Sequence, residues 1–300
     1  MDELRSLIAR HGPIGRTATA IPGVSLLRAE ATTTAAPSVY QPLFCVVAQG
    51  AKRLLVGDRV LVYDEAKYIV VSVDMPVSGE IVAASPDAPY LAFSLALDRT
   101  ALATMLIEMG GAEPEPPAPI GMAVSPVTPD LLDPVKRLMR LLDRPGEIAM
   151  LAPLAEREIL YRLLTGPQGA MLRQIALADS RLSRVSRAID WIRRHYDRPL
   201  RIEALAEVAG MSHSTFHRHF RAVTAMSPLQ FQKHIRLQEA RQLLLSRQGD
   251  AGAVGFAVGY ESASQFSREY ARLFGAPPAR DAARLRGLSA LDRARSAETV

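Results

Sequence analysis

A local device occurs twice between Leu200 and Asp281: an apolar half-helix, a glycine turn, a serine, then a second helix carrying aromatic residues on one face. The first copy reads LAEVAGMSHSTFHRHF from Leu205 and the second VGFAVGYESASQFSREY from Val254. Gly210 and Gly259 are 49 apart, whereas Ser212 and Ser262, Phe216 and Phe266, Arg218 and Arg268, and Phe220 and Tyr270 are 50 apart. One residue has therefore been added inside the second turn. The spacing predicts two helix–turn–helix units, over 203–223 and 251–273.

Each second helix carries the chemistry. Ser212 and Ser262 are expected to cap these helices, since a serine oxygen accepts an orphan amide of the first turn, and Gln265 would close a capping box with Ser262. At about 100° per residue, Phe216, Phe220 and Val223 share the buried side. Ser214, His217, Arg218 and Arg221 point away from it, as do Ser264, Gln265, Ser267, Arg268 and Arg272 in the second copy. A short helix with an aromatic underside and a Ser/His/Arg outer face suits the major groove, where arginine reads guanine and hydroxyls read several base edges. An ordinary two-helix corner with a solvated basic face is the plainer alternative, and repetition in near register argues against it. Between the units, Ser227-Pro228 with Gln230 has every helix-start signal, and the helix to about Ser246 spans roughly 28 Å. Successive major-groove faces lie about 34 Å apart, so a rigid spacer of that length fits two readers on one side of a duplex.

Charge follows the same division. Residues 1–180 carry 16 Lys+Arg against 20 Asp+Glu, and residues 181–300 carry 20 against 11. A basic, arginine-rich half supplies the salt-sensitive part of DNA affinity.

On LAEVAGMS, FHRHF, TAMSPLQFQKHIRLQEARQLL, VGYESASQFSREY and FGAPP, the stretch from about Arg184 to Asp281 resembles the DNA-binding region of the AraC/XylS family of transcription regulators. That resemblance implies one monomer inserting two recognition helices into successive segments of double-stranded DNA. One departure is Gly252 and Gly255 in the first helix of the second unit, where the family usually has alanine-rich sequence. Interior glycine costs up to about 1 kcal/mol, so that unit is expected to be the less stable. Gly255 aligns with Ala206, and Gly255→Ala is expected to stabilise it unless residue 255 packs tightly on the recognition helix.

The N-terminal half has a different rhythm. After a short amphipathic helix to about His11, β-prone runs appear at Leu43–Gln49, Lys52–Val56, Arg59–Tyr63, Lys67–Val73, Gly79–Ala83 and Tyr90–Leu97. They are separated by turn signals such as Gly57-Asp58, Asp74-Met75-Pro76 and Ser85-Pro86-Asp87. Strands at this spacing without interleaved helices argue a small antiparallel barrel or jelly roll. VYQPLFCVVAQGAKRLLVGD, YDEAKYIVVSVDMPVSGEI and SPDAPYLAFSLALD resemble the cupin-like effector domain of an AraC-type subgroup. Helices are expected at Arg99–Met109, Pro129–Leu142, Ala149–Leu164, from Ala170, and at Leu182–His195. Glu113–Pro119, rich in proline, reads as an extended link. In the family resemblance the helices over 129–164 pair with a second subunit; the alternative is that they merely cover the barrel.

The expected organisation is α+β: a cupin-like antiparallel barrel with helical extension over 1–165, a linker at 166–183, an all-α DNA-binding domain over 184–288, and a disordered tail at 289–300. Enzyme chemistry finds little support. A cupin metal site needs several histidines and a carboxylate, and the N-terminal half holds His11 alone, outside the strands. His213 and His217 have metal-binding spacing but need further ligands. Cys45, the single cysteine, has no adjacent cation to lower its pKa. It excludes a disulfide framework and fits a cytoplasmic chain. No catalytic residue, metal or cofactor is expected, nor a signal peptide or membrane span. The expected partners are double-stranded DNA through the major groove, a small-molecule effector at unassigned residues, a homodimer partner, and RNA polymerase in the case of an activator. An architectural DNA-binding protein whose barrel only mediates dimerisation is the alternative.

Overall fold

In the computed structural model, residues 1–110, 121–176, 180–246 and 251–287 are described. The expected link at 113–119 and the tail at 289–300 lie outside them. The chain opens with α1 (Asp2–His11), then β1 (Gly15–Ala18), β2 (Val24–Ala29), β3 (Ala36–Tyr40), β4 (Leu43–Gln49), β5 (Ala51–Val56) and β6 (Arg59–Asp64). It continues through β7 (Lys67–Val71), β8 (Met75–Ala83), β9 (Tyr90–Ala96), α2 (Arg99–Glu108), β10 (Met122–Pro126), α3 (Pro129–Arg140) and α4 (Ile148–Thr165). Helices α5 (Gly169–Ala176), α6 (Arg181–Arg194), α7 (Ile202–Ala209), α8 (His213–Thr224) and α9 (Pro228–Ser246) follow. The last three are α10 (Ala251–Ala257), α11 (Ala263–Phe274) and α12 (Pro278–Gly287).

The strands form two antiparallel sheets, β1-β2-β9-β4-β7-β10 and β3-β8-β5-β6, facing one another as a double-sheeted barrel. The alternating burial of β5, with Lys52, Leu54 and Val56 inward and Arg53 and Leu55 outward, is the period-two pattern of a sheet wetted on one face. The larger sheet is buried on both sides, because α1 covers β2, β4 and β9. Between the sheets, the fully buried ring of Tyr63 lies among Tyr40, Tyr90 and Cys45. The Lys52 side chain, 5% exposed, sits about 6 Å from the ring centres of Tyr40 and Tyr90. Large side chains thus fill part of the interior. Ser25 faces Ser94 across the β2–β9 ladder, their hydroxyls 2.7 Å apart, and Ser94 stands opposite Cys45 of β4.

Two strand expectations change. Met75-Pro76, read as a turn, begins β8. Pro76 stands opposite Val39 of β3, while the pairing of β8 with β5 begins only at Ser78, so the missing N–H of proline falls where the strand has one neighbour. β10, unanticipated after the proline-rich segment, pairs antiparallel with β7 over Met122–Pro126. Within the stretch read as a linker, α5 buries Met171, Leu172 and Ile175.

The C-terminal helices have two centres. Phe216, Phe220 and Phe231 belong to one hydrophobic core continuous with the barrel, whereas Leu237, Leu244, Val254, Val258, Phe266 and Tyr270 form a second. Helix α9 supplies Phe231 and Ile235 to the first and Leu237, Ala240 and Leu244 to the second, which makes it the spine of both units.

Candidate nucleic-acid interface

The two units are built alike, down to their turns. Gly210 ends α7 at φ 62°, and Gly259 follows α10 at φ 90°, the left-handed backbone that glycine adopts without steric cost. Behind each turn the aromatic underside is buried: Phe216 and Phe220 lie 5.5 Å apart with their rings tilted at 58° and Phe220 meets Phe231 edge-on, while Phe266 meets Tyr270 edge-on at 5.5 Å. With those faces anchored, Ser214, His217, Arg218, Arg221, Ser264, Gln265, Arg268 and Arg272 are exposed and Ser267 is half-buried. Arg218 and Arg268 have no ion-pair partner among the described residues, so both guanidinium groups face solvent with their donors available. Burial, then the nearby charges of Arg181 and Arg218, hold His219 below the usual histidine pKa.

The caps differ from expectation at two places. Ser212 occupies the N-cap of α8, but its hydroxyl donates to Thr215 Oγ1 at 2.9 Å and caps no amide. Ser262 does accept from the Gln265 amide at 3.4 Å, yet the Gln265 side chain turns to Glu269 at 3.2 Å and leaves the box open. Glu269 draws it there because it already gathers Lys233 Nζ at 2.8 Å and the Tyr260 hydroxyl at 2.9 Å. The box at α9 is complete: the Gln230 amide donates to Ser227 Oγ at 3.3 Å and the Ser227 amide to Gln230 Oε1 at 2.9 Å.

Gly255 lies against α11. A Cβ built at 255 would stand 2.8–3.1 Å from the Phe266 side chain, inside any tolerable contact. The expectation that alanine would stabilise this helix is therefore corrected: glycine is needed there for the approach of two helices.

Two residues escaped the sequence reading, one that joins the units and one that closes the second. Arg236 of α9 donates to the carbonyls of Tyr196, Arg198 and Gly259 at 2.6, 2.9 and 2.8 Å, tying the α6–α7 connection to the second turn. Asp281 of α12, fully buried, accepts from Arg241 Nε at 2.9 Å, Tyr270 Oη at 3.0 Å and Arg284 Nη2 at 2.8 Å. Burial alone would raise its pKa, but the Arg284 and Arg241 contacts hold it below the ordinary carboxylate value. The Pro277-Pro278 pair, with proline at the first position of α12, was the available signal.

The helical region is docked on the barrel. The Gly121 amide donates to the Val223 carbonyl at 3.1 Å, Arg193 pairs with buried Asp74, and Arg99 pairs with Asp190 at 3.4 Å. Arg221 lines the crevice beside Gly57 and Asp58 of the β5–β6 hairpin, so it stands at the barrel end of α8. Among the described residues no cluster of His, Cys, Asp or Glu is arranged to hold a metal, and no helix is long and apolar enough to cross a membrane.

A double-sheeted barrel followed by paired helix–turn–helix units defines a class of transcription regulators rather than enzymes. Residues 20–171 match the family profile described as AraC-type transcriptional regulator N-terminus, and residues 205–284 match a helix-turn-helix domain profile. The first covers slightly more than half of the chain, and the protein belongs to the AraC family of transcriptional regulators. It is 26% identical over 155 residues to the HTH-type transcriptional activator RhaS of Salmonella schwarzengrund, covering 51% of this chain and 54% of that one. To RhaS of Escherichia fergusonii it is 28% identical over 149 residues, covering 49% and 52%. The chain thus spans about half the length of the curated relatives it matches. Among solved structures, fatty-acid-bound ToxT from Vibrio cholerae superposes with a TM-score of 0.56 at 7% identity, over 86% of this chain and 94% of that one. ToxT bound to a naphthalenyl-butenoic acid gives 0.56 at 9% identity, over 86% and 97%. At such identities the likeness is one of fold.

Proposed function

We propose that the protein is a sequence-specific DNA-binding regulator that reads two unlike motifs, about one helical turn apart, with α8 and α11, under control of a small-molecule effector held by the N-terminal domain. The observation that carries this reading is the pair of arginines, Arg218 and Arg268, each exposed without an ion-pair partner among the described residues at equivalent places on two anchored helices. Ser214 and His217 accompany the first, Ser264 and Ser267 the second. Because His217 and Ser267 differ in size and hydrogen-bonding capacity, the two helices select different bases. Gln265, Arg221 and Arg272 suit contacts to phosphate or to flanking bases.

The division of labour follows the chain: 1–165 senses and pairs with a second copy, 166–183 connects, and 184–288 reads DNA. The ToxT structures hold carboxylic acids, and a fold of this shape accommodates a small ligand, which favours an effector-controlled regulator over an architectural protein. RNA polymerase joins the partners if the outcome is activation, as in the activators it resembles.

Footprinting and competition binding with randomised sites test the DNA reading. Arg218→Ala and Arg268→Ala are each expected to relax base preference at one position, costing about 1–3 kcal/mol on the preferred site. Equal weakening on every sequence would make them phosphate anchors, and a single palindrome bound by one monomer would contradict two unlike readers.

A further inference from the structure

We propose that Arg236 is a positioning residue for DNA recognition: it locks the two helix–turn–helix units at one mutual angle and so fixes the spacing of motifs that the protein accepts. The proposal rests on the reading of two motifs by α8 and α11 and adds what sets the distance between them. The units have separate cores, bridged by α9 and by Tyr196, which packs against both. A helix shared by two cores fixes their separation along its axis. Their mutual angle depends on direct contacts between the units.

Those contacts are backbone carbonyls gathered by one fork of donors. Beyond His195, the C-cap of α6, the chain passes through 196–198 toward α7. Arg236 Nε donates to the Tyr196 carbonyl at 2.6 Å and Nη2 to that of Arg198 at 2.9 Å, while Nη1 reaches across to the Gly259 carbonyl of the second unit at 2.8 Å. Gln232, one turn earlier on α9 and 3% exposed, donates to the same Tyr196 and Arg198 carbonyls at 3.1 and 2.7 Å. The two surfaces leave no room for a side chain: a Cβ built on Gly259 would stand 2.1 Å from the Asp197 carbonyl oxygen. A planar guanidinium holds its acceptors at set angles, which an ammonium on a flexible stem does not. With these donors committed to carbonyls, Arg236 acts on DNA through the placement of α8 and α11. Each base pair added between two motifs turns the second by about 34° and moves it by about 3.4 Å, a change that tied units cannot follow.

The test is binding of the full-length protein to its preferred site, selected from randomised DNA, and to the same site with one base pair added or removed between the motifs. Wild type is expected to lose at least about thirtyfold in affinity on either altered site, comparable to one wrong base pair. Arg236→Met is expected to lose about threefold or less, with footprints still covering both motifs. Arg236→Lys keeps the charge without the fork and is expected to share the relaxed spacing; it also keeps the test valid if Arg236→Met folds poorly. A wild-type spacing penalty in either variant overturns the proposal. So does relaxed spacing accompanied by loss of the second footprint, which would make Arg236 a residue of stability alone. A wild type indifferent to the added base pair counts against the two-motif reading itself and takes the proposal with it. A penalty shared unchanged by wild type and variants removes Arg236 and leaves that reading standing.

Discussion

Gly255 shows how a single missing methyl shapes the second helix–turn–helix unit. In the first unit the equivalent position is Ala206, buried and accommodated; in the second, the Phe266 ring closes over the backbone to 2.8 Å of where a Cβ would be. Relief of unfolded-chain entropy favours alanine by about 0.4–1 kcal/mol, whereas forcing an extra carbon into a packed contact costs about 1–3 kcal/mol. The clash wins. Gly255→Ala is therefore expected to lower stability by about 1–2 kcal/mol, with faster hydrogen exchange across 251–274. A variant as stable as wild type would mean that Phe266 moves aside freely. The sequence made the glycine visible and its alignment with Ala206 exact, but a ring-to-backbone distance is a property of packing. The outward residues were legible because helical periodicity and a buried aromatic side settle direction. The caps were less so: Ser212 chooses Thr215 and Gln265 chooses Glu269, and local spacing does not rank such competitors.

Helix α12 holds the second unit closed through one carboxylate. Asp281 joins α9, α11 and α12, with Arg241 only 11% exposed on its side chain and the Tyr270 hydroxyl, pushed well above its ordinary pKa by burial, donating to it. Because the folded pKa of Asp281 lies below its ordinary value of 3.8, its stabilisation is complete above about pH 4. It fades as pH falls through the depressed value, because the unfolded chain takes up a proton first and folding must release it. Asp281→Asn is expected to cost about 3 kcal/mol at neutral pH, since it leaves the Arg241 charge buried without its partner, and to flatten acid unfolding below pH 4. The check is Tm against pH for both proteins; parallel curves would remove Asp281 from the account. The first and second helices of each unit and the long spacer were plain in the sequence because caps, prolines and apolar period agreed. Helix α12 and the Arg241–Asp281 pair were not, since a buried ion pair links residues 40 apart and leaves no periodic trace. Pro76 as a breaker shortens the strand expected before Ala83, a rule that lapses where a strand has one neighbour.

At the scale of the molecule, the first helix–turn–helix unit shares a core with the barrel and the second has its own, with α9 passing through both. The docking contacts at Gly121, Asp74 and Asp190 join parts far apart in sequence, which is why the two-domain plan was legible and their junction was not. The helical extension leaves one surface unexplained by that plan. On α4, Ala152, Ala155, Ile159 and Leu163 face inward, while Met150, Leu151, Leu154 and Tyr161 are 75, 42, 63 and 45% exposed, with Ile107 of α2 at 79%. Residues 150, 154 and 161 recur at helical spacing, so they form one apolar stripe rather than scattered exposure. This is the helix that the family resemblance assigns to pairing with a second subunit, and the alternative of simply covering the barrel accounts for its inner face alone. If the stripe is the dimer interface, a charge at its middle must be desolvated without a partner. Leu154→Glu is then expected to cost at least about 2 kcal/mol of association, a weakening of about thirtyfold or more. Sedimentation of wild type and variant over the same concentrations reads this directly. Dimer in one and monomer in the other, with unchanged Tm for the monomer's own unfolding, assigns α4 to assembly. Indistinguishable sedimentation would return the stripe to solvent, and each chain would then bring its paired helix–turn–helix units to DNA singly.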